Sequence, residues 1–239
     1  MKRALTAALL IIVALPMLYA VAQLPPQGSP TSPAYTHVSA RYLEAGPEEA
    51  GAENVVTAVI LNYRGFDTDG EVTVIFTSLA AVLAVLLGVR TGEKPLAGQP
   101  VSSVEASVVV SFVVRLLAPA IALFGIYVIL HGHVSPGGGF QGGAILASLL
   151  IIITTILERA QAEALVPLRI RRWLQIAAPL AFFTVGVAGL VVFGNYLQFP
   201  RTHDLAWLTV TWLTIIEIGI GVGGAAILAT IFWTMGGDS

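Results

Sequence analysis

The sequence contains no cysteine. Disulfides, thiolate-held iron–sulfur clusters and thioether-bound haem are therefore excluded from this chain, and any redox centre serving it sits in another subunit. Charge is scarce as well. Asp, Glu, Lys and Arg make up 11% of 239 residues, against roughly 25% in an average soluble domain. Lysine occurs only at Lys2 and Lys94, and the net charge is −2. That balance gives no basic footprint for nucleic acid. The longest polar stretch, residues 23–53, is too short for a soluble catalytic domain. These absences exclude a soluble enzyme, a nucleic-acid binder and a disordered chain.

What is present is apolar. Hydrophobic residues make up 56% of the chain, and the mean hydropathy is +0.85. Several runs approach the ~20 residues that a helix needs to cross a bilayer. The expected fold is all-α: a polytopic membrane protein with about six transmembrane helices, two and then four, and one short non-spanning helix. The expected spans are residues 3–22, 69–89, 106–130, 139–157, 173–193 and 205–233. Residues 53–63 are apolar but too short to cross, and read as the short helix. Pro119 and Pro179 fall inside spans and should kink them. A Gly- and Pro-containing linker, residues 90–103, divides the chain into modules 1–101 and 102–239. Ser102 and Glu105 form a capping-box pattern at the start of the second.

Charge placement orients the chain. With the N-terminus inside, Lys2, Arg3, Arg90, Lys94, Arg159, Arg169, Arg171 and Arg172 are cytoplasmic. Arg41, Arg64 and Arg201 are outside, and Arg115 lies within a span. This asymmetry puts both termini in the cytoplasm of a multi-pass plasma-membrane protein. The first segment also has the order of a signal peptide, basic then apolar then Ala20-Val21-Ala22. The expectation is a retained span.

Ionisable residues inside spans are informative, because placing one in hydrocarbon costs at least ~2.5–3.5 kcal/mol. Glu217 sits about 18 Å into the last span, between Ile216 and Ile218. It is either a proton or cation relay group facing the bundle interior or a hydrogen-bonded residue that joins helices. Arg115 lies about a third of the way across the third span. It either pairs with a group such as Glu217 or snorkels to the surface. Asp67 and Asp69 suit a helix N-terminus. Glu71, deeper, is a candidate to hydrate or bind a cation at the mouth of an ion path. His131 and His133 could titrate near neutral pH, but too few further ligands are nearby for a metal.

Gly137, Gly138 and Gly139 follow Pro136 and permit a tight turn, but no Lys-Ser or Lys-Thr follows to make a phosphate loop. Gly139 with Gly143, and Gly219 with Gly223, present small-residue faces for close helix packing. Gly221-Val222-Gly223-Gly224 is not a dinucleotide fingerprint, since no strand precedes it.

The run His131–Ala144, centred on Pro136-Gly137-Gly138-Gly139-Phe140-Gln141-Gly142-Gly143, resembles the signature of the B subunit of multisubunit Na⁺/H⁺ antiporters of the Mrp or Mnh type. The likeness extends over about residues 102–233 and implies a four-span module. Asn54 to Thr68, with Gly70-Glu71, is similar to the C-terminal region of the antiporter A subunit. It is similar also to the E-type subunit of membrane-bound hydrogenase-related complexes. The resemblance implies a membrane subunit of a monovalent cation (Na⁺)/proton antiporter, without a cofactor of its own, whose partners are other membrane subunits, lipid, Na⁺ and H⁺. The same module in a redox-driven hydrogenase-like complex, and a purely structural docking subunit, are the alternatives it leaves. A membrane enzyme built on the histidines lacks enough converging polar residues. The lysine-rich discontinuous helices of the family's pumping subunits have no counterpart here.

Overall fold

Apolar runs bounded by capping residues fold into helices. The computed structural model describes residues 2–88, 107–200 and 203–235. The linker, the capping box at Ser102 and Glu105 and the module boundary at 101/102 lie outside the described residues. By its contacts the chain divides into Met1–Glu44 and Ala45–Ser239.

The first unit holds α1 (Lys2–Ala22), a π-helical turn (Ala34–Val38) and the start of α2 (Ser39–Ala50). Leu10, Ile12 and Leu18 of α1 are exposed, as suits a helix surrounded by lipid or by other subunits.

The second unit begins with the end of α2. It continues with α3 (Val55–Thr57), which widens into a π-helical turn (Ala58–Tyr63), and α4 (Gly65–Gly88). Then follow α5 (Val108–Leu130), α6 (Gly139–Ile156), α7 (Arg159–Leu165), α8 (Leu168–Phe193) and α9 (Ala206–Met235). The helices α1, α4, α5, α6, α8 and α9 are long and apolar enough to cross a membrane. No strand occurs among the described residues.

Most boundaries match the sequence reading, and two differ for a physical reason. α4 starts at Gly65 rather than at residue 69. Its acidic residue Asp67 falls in the first turn, where the helix dipole favours negative charge. α8 starts after Pro167 rather than at residue 173. Arg169, Arg171 and Arg172 lower the hydropathy of a turn that is nevertheless helical. α2 and α7 were not anticipated; neither carries an apolar run of spanning length.

α9 is the centre of the second unit and the most buried of the spans. Glycines let its neighbours come to backbone contact. A Cβ on Gly143 would lie 2.7 Å from the Gly221 carbonyl oxygen, and one on Gly139 would lie 2.6 Å from that of Glu217. On another side, a Cβ on Gly219 would meet Ala181, and one on Gly223 would meet Ala178, both of α8. Such small-residue contacts supply packing where lipid removes the hydrophobic driving force.

The α5–α6 hairpin is shorter than α9. Its turn, residues 131–138, closes beside Glu217, so about 16 Å of α9 precedes that level. The space around that stretch is filled by residues 50–61 and 197–199. Ala50, Ala52, Ala58, Leu61, Leu197 and Phe199 pack there with Trp212, Leu213 and Ile216. At the other end Leu149, Leu150, Ile153, Leu157 and Ala162 pack against Ala229 and Trp233.

Candidate functional site

Glu217 is 1% exposed. Glu217 Oε1 lies 3.3 Å from Thr57 Oγ1, a hydroxyl that also lies 2.7 Å from the Gly132 carbonyl oxygen. One hydrogen serves one acceptor at a time, and the shorter contact favours the carbonyl. Glu217 Oε2 is buried with no hydrogen-bond partner. The carboxylate is thus held by a single long contact in a place sealed from water. Leaving such a group unpaired is costly.

The turn that faces it is fixed by Asn54. Asn54 Nδ2 donates to the carbonyls of Gly132 (2.8 Å) and Ser135 (2.9 Å), and its backbone N–H donates to that of His133 (3.2 Å). Asn54 also caps α3, its side-chain oxygen accepting from Val56 N–H at 3.0 Å. One residue therefore starts the short helix that carries Thr57 and holds the turn under it. Gly137 (φ 133°) and Gly138 (φ 124°) adopt backbone that favours glycine. A Cβ on Gly138 would lie 3.5 Å from Glu217 Oε1. α6 begins at the next residue, so its positive end lies beside the carboxylate and offsets part of the desolvation.

His133 lies on the same turn, half-buried, with Nδ1 buried and unpartnered. Its pKa is lowered from the ordinary 6.5, first by burial and then by His131, against a smaller opposing pull from Glu53. His131 is exposed; its ring stacks on Tyr127 at 4.2 Å, and its Nδ1 lies 3.0 Å from the Tyr127 carbonyl oxygen.

The other expected site residues lie elsewhere. Asp67 is exposed and pairs with Arg64, Nε to Oδ2 at 2.6 Å. Asp69 accepts from the Tyr196 hydroxyl at 3.1 Å. Burial first, then the charge and hydrogen bond of Asp69, push the Tyr196 phenol up to about 12. Glu71 is exposed, off the face on which Thr68, Val72 and Leu79 are buried. Arg115 is exposed and is not among the neighbours of Glu217. The fold therefore gathers Glu217 and His133 around one turn, and leaves Glu71 and Arg115 on outer faces. Gly139, Gly143, Gly219 and Gly223 sit in helix contacts. Among the described residues no group of three or more His, Asp or Glu is placed to hold a metal.

Sequence reasoning missed two features. Asn54 and Thr57 belong to the motif shared with the E-type subunits, but nothing in their spacing points to a carboxylate 160 positions away. A second buried polar cluster lies towards the C-terminal end of α9. Arg171, 8% exposed, stacks over Trp233, with Cζ 4.6 Å from the ring centroid. Gln175 donates to Thr230 Oγ1 at 2.6 Å, and Trp233 Nε1 donates to Thr154 Oγ1 at 2.7 Å.

Comparison with known proteins gives this geometry a context. The family model of the domain related to the MnhB subunit of Na⁺/H⁺ antiporters matches residues 109–232, more than half of the chain. The chain belongs to the MnhB-related family. A second family model, MbhE of the MBH complex, matches residues 6–99. The antiporter subunit mnhB2 of Staphylococcus haemolyticus is 29% identical over 141 residues, covering 56% of this chain and 96% of the relative.

Among solved structures, a chain of the membrane-bound sulfane sulfur reductase (MBS), an archaeal respiratory membrane complex, is 31% identical. Its TM-score is 0.68, with 98% of this chain and 97% of that one covered. A chain of the Mrp complex from Dietzia sp. is 25% identical with a TM-score of 0.70. Here 99% of this MnhB-related chain matches only 26% of the neighbour.

Proposed function

We propose that this chain is a membrane subunit of a multisubunit Na⁺/H⁺ antiporter module, and that Glu217 is its proton- or cation-carrying group. The observation that carries the reading is the buried Oε2 of Glu217, inside a spanning helix, level with the α5–α6 turn and without a partner. A buried ionisable group within a spanning helix is a functional candidate by default. Opposite it, Thr57 and the Gly132 carbonyl offer oxygen ligands, and His133 lies on the same turn as an exchangeable proton site. The chain acts, in this reading, as a transport subunit rather than as an enzyme. In this reading residues 1–101 form an E-type module, residues 102–239 form a B-type module, and both termini are cytoplasmic. Glu71 and Asp67, exposed on α4, act where another subunit covers them.

The test is Na⁺-dependent proton exchange in everted membrane vesicles containing the complete complex. Glu217→Gln should lower exchange about 100-fold while the complex still assembles. Intact exchange removes Glu217 from the path and leaves the chain a docking subunit.

A second reading has its own support. The near end-to-end similarity to a chain of a respiratory complex favours the same subunit in a redox-driven assembly. The chains that purify with it decide: iron–sulfur or nickel subunits mark the redox complex, and antiporter subunits alone mark the secondary transporter.

A further inference from the structure

α5 presents an outer surface that lipid fits well, except at one point. Val108, Val109, Phe112 and Leu116 are all exposed apolar side chains, and Arg115 stands exposed among them with no hydrogen bond or ion pair among the described residues. Arginine stays charged at every physiological pH, so this cation needs a counter-group.

The backbone adds a second unmet group at the same place. Pro119 has no N–H, so the carbonyl of Arg115 loses its helical partner four residues on. Arg115 and Pro119 both line a groove of about 330 Å³ between α5, α6 and α7. The groove is amphipathic along its length. Arg115 and Gln161 lie at the α7 end, and Ala118, Pro119, Ala122 and Ile153 continue it along α5 and α6. Side chains on a helix lean toward its N-terminus. Arg115 lies about 10 Å from the start of α5, so its guanidinium leans toward the interfacial end and away from the apolar part.

We propose that this groove is a binding site for one anionic phospholipid, with its phosphate on Arg115 and part of one acyl chain along Ala118, Pro119 and Ala122. Charge complementarity selects the occupant. A lone guanidinium at the rim matches a phosphate diester by forked, charge-assisted hydrogen bonds. A shallow trough of small apolar residues running inward matches a hydrocarbon chain. A volume of this size falls in the range of built ligand sites, and fits part of a lipid while the remainder lies in the bilayer.

The experiment is native mass spectrometry of the intact complex released from phosphatidylcholine nanodiscs doped with phosphatidylglycerol. Wild type should retain a phosphatidylglycerol molecule on this subunit. Arg115→Gln should retain it about tenfold less, as expected for loss of a charged hydrogen bond, and Arg115→Lys should keep part of it. Ala122→Phe fills the trough and leaves the charge in place; it too should lower retention, and it decides the matter if Arg115→Gln fails to assemble. Retention equal to wild type in Arg115→Gln or in Ala122→Phe overturns the proposal. So does loss of a protein subunit from Arg115→Gln with the lipid still bound, which would assign the arginine to a partner's carboxylate.

Discussion

Thr57 Oγ1 and Glu217 Oε1 lie 3.3 Å apart across 160 residues of chain. Their contact joins the short, non-spanning helix α3 to the most buried of the spans. If Glu217 carries the ion, Thr57 tunes it without being essential. Glu217→Gln should lower Na⁺-dependent exchange by about 100-fold, on the scale of a lost proton-transfer group. Thr57→Val removes the long contact to Glu217 together with the hydroxyl's bonds to Gly132 and Asn54; the carboxylate itself stays, so exchange should fall only severalfold. Initial rates in everted vesicles separate the two; equal losses would mean that both substitutions simply disrupt assembly.

The crossing of α6 and α9 predicts a contrast between two glycines. Gly143 faces the Gly221 backbone, so Gly143→Leu has no flexible side chain to push aside. It should destabilise the complex by about 3 kcal/mol, the upper range of overpacking. On α9 itself a Cβ at Gly224 meets nothing within 4 Å. Gly224→Ala should be neutral or stabilise by up to ~1 kcal/mol through helix propensity. Thermal unfolding of the purified complex measures both.

Two loop residues give opposite pH signatures. Tyr196 is raised from 10.0 to about 12 in the folded chain, so the folded state keeps a proton that the unfolded state releases. Its contribution is fully present below pH 10 and is lost as pH rises towards 12. His133 is lowered from 6.5, so its contribution is present above pH 6.5 and is lost as pH falls through the depressed folded value. Stability profiles of Tyr196→Phe and His133→Gln should flatten on the alkaline and acid sides respectively. Unchanged profiles would remove the argument for each.

Trp233 and Thr154 form a pair suited to a double-mutant cycle. Thr154→Val should cost about 1 kcal/mol by breaking the 2.7 Å bond, and Trp233→Phe more, because it also shrinks a buried ring on which Arg171 stacks. The double variant should cost less than the sum, because both remove one interaction. Simple additivity, read from chemical unfolding of the complex, would show that the bond contributes nothing.

The spans were legible because bilayer length and hydropathy are local properties of a sequence. Glu217 was legible for the same reason, as a charge inside an apolar run. Its surroundings were not. Asn54 and Thr57 are ordinary polar residues of a short helix, and only the fold brings them to the turn at Gly132. Burial was equally hidden for Glu71 and Arg115. Both lie in or at the edge of apolar runs as Glu217 does, yet Glu71 occupies an exposed face of its helix and Arg115 stands exposed at the rim of the bundle. Arg171 shows the converse: the charge pattern groups it with the interfacial arginines, and it lies buried against Trp233.

The helix at the centre of the second unit leaves the ribosome after every helix it packs against. α4, α5, α6 and α8 are threaded into the bilayer while the slot for α9 is still vacant. Their glycine and alanine faces must wait, and so must the turn beneath Asn54. Only when residues 206–235 are made can the bundle close and the carboxylate of Glu217 meet Thr57 and the turn at Gly132. A chain stopped short of that segment would be inserted but unfinished, and would be a natural substrate for membrane quality control.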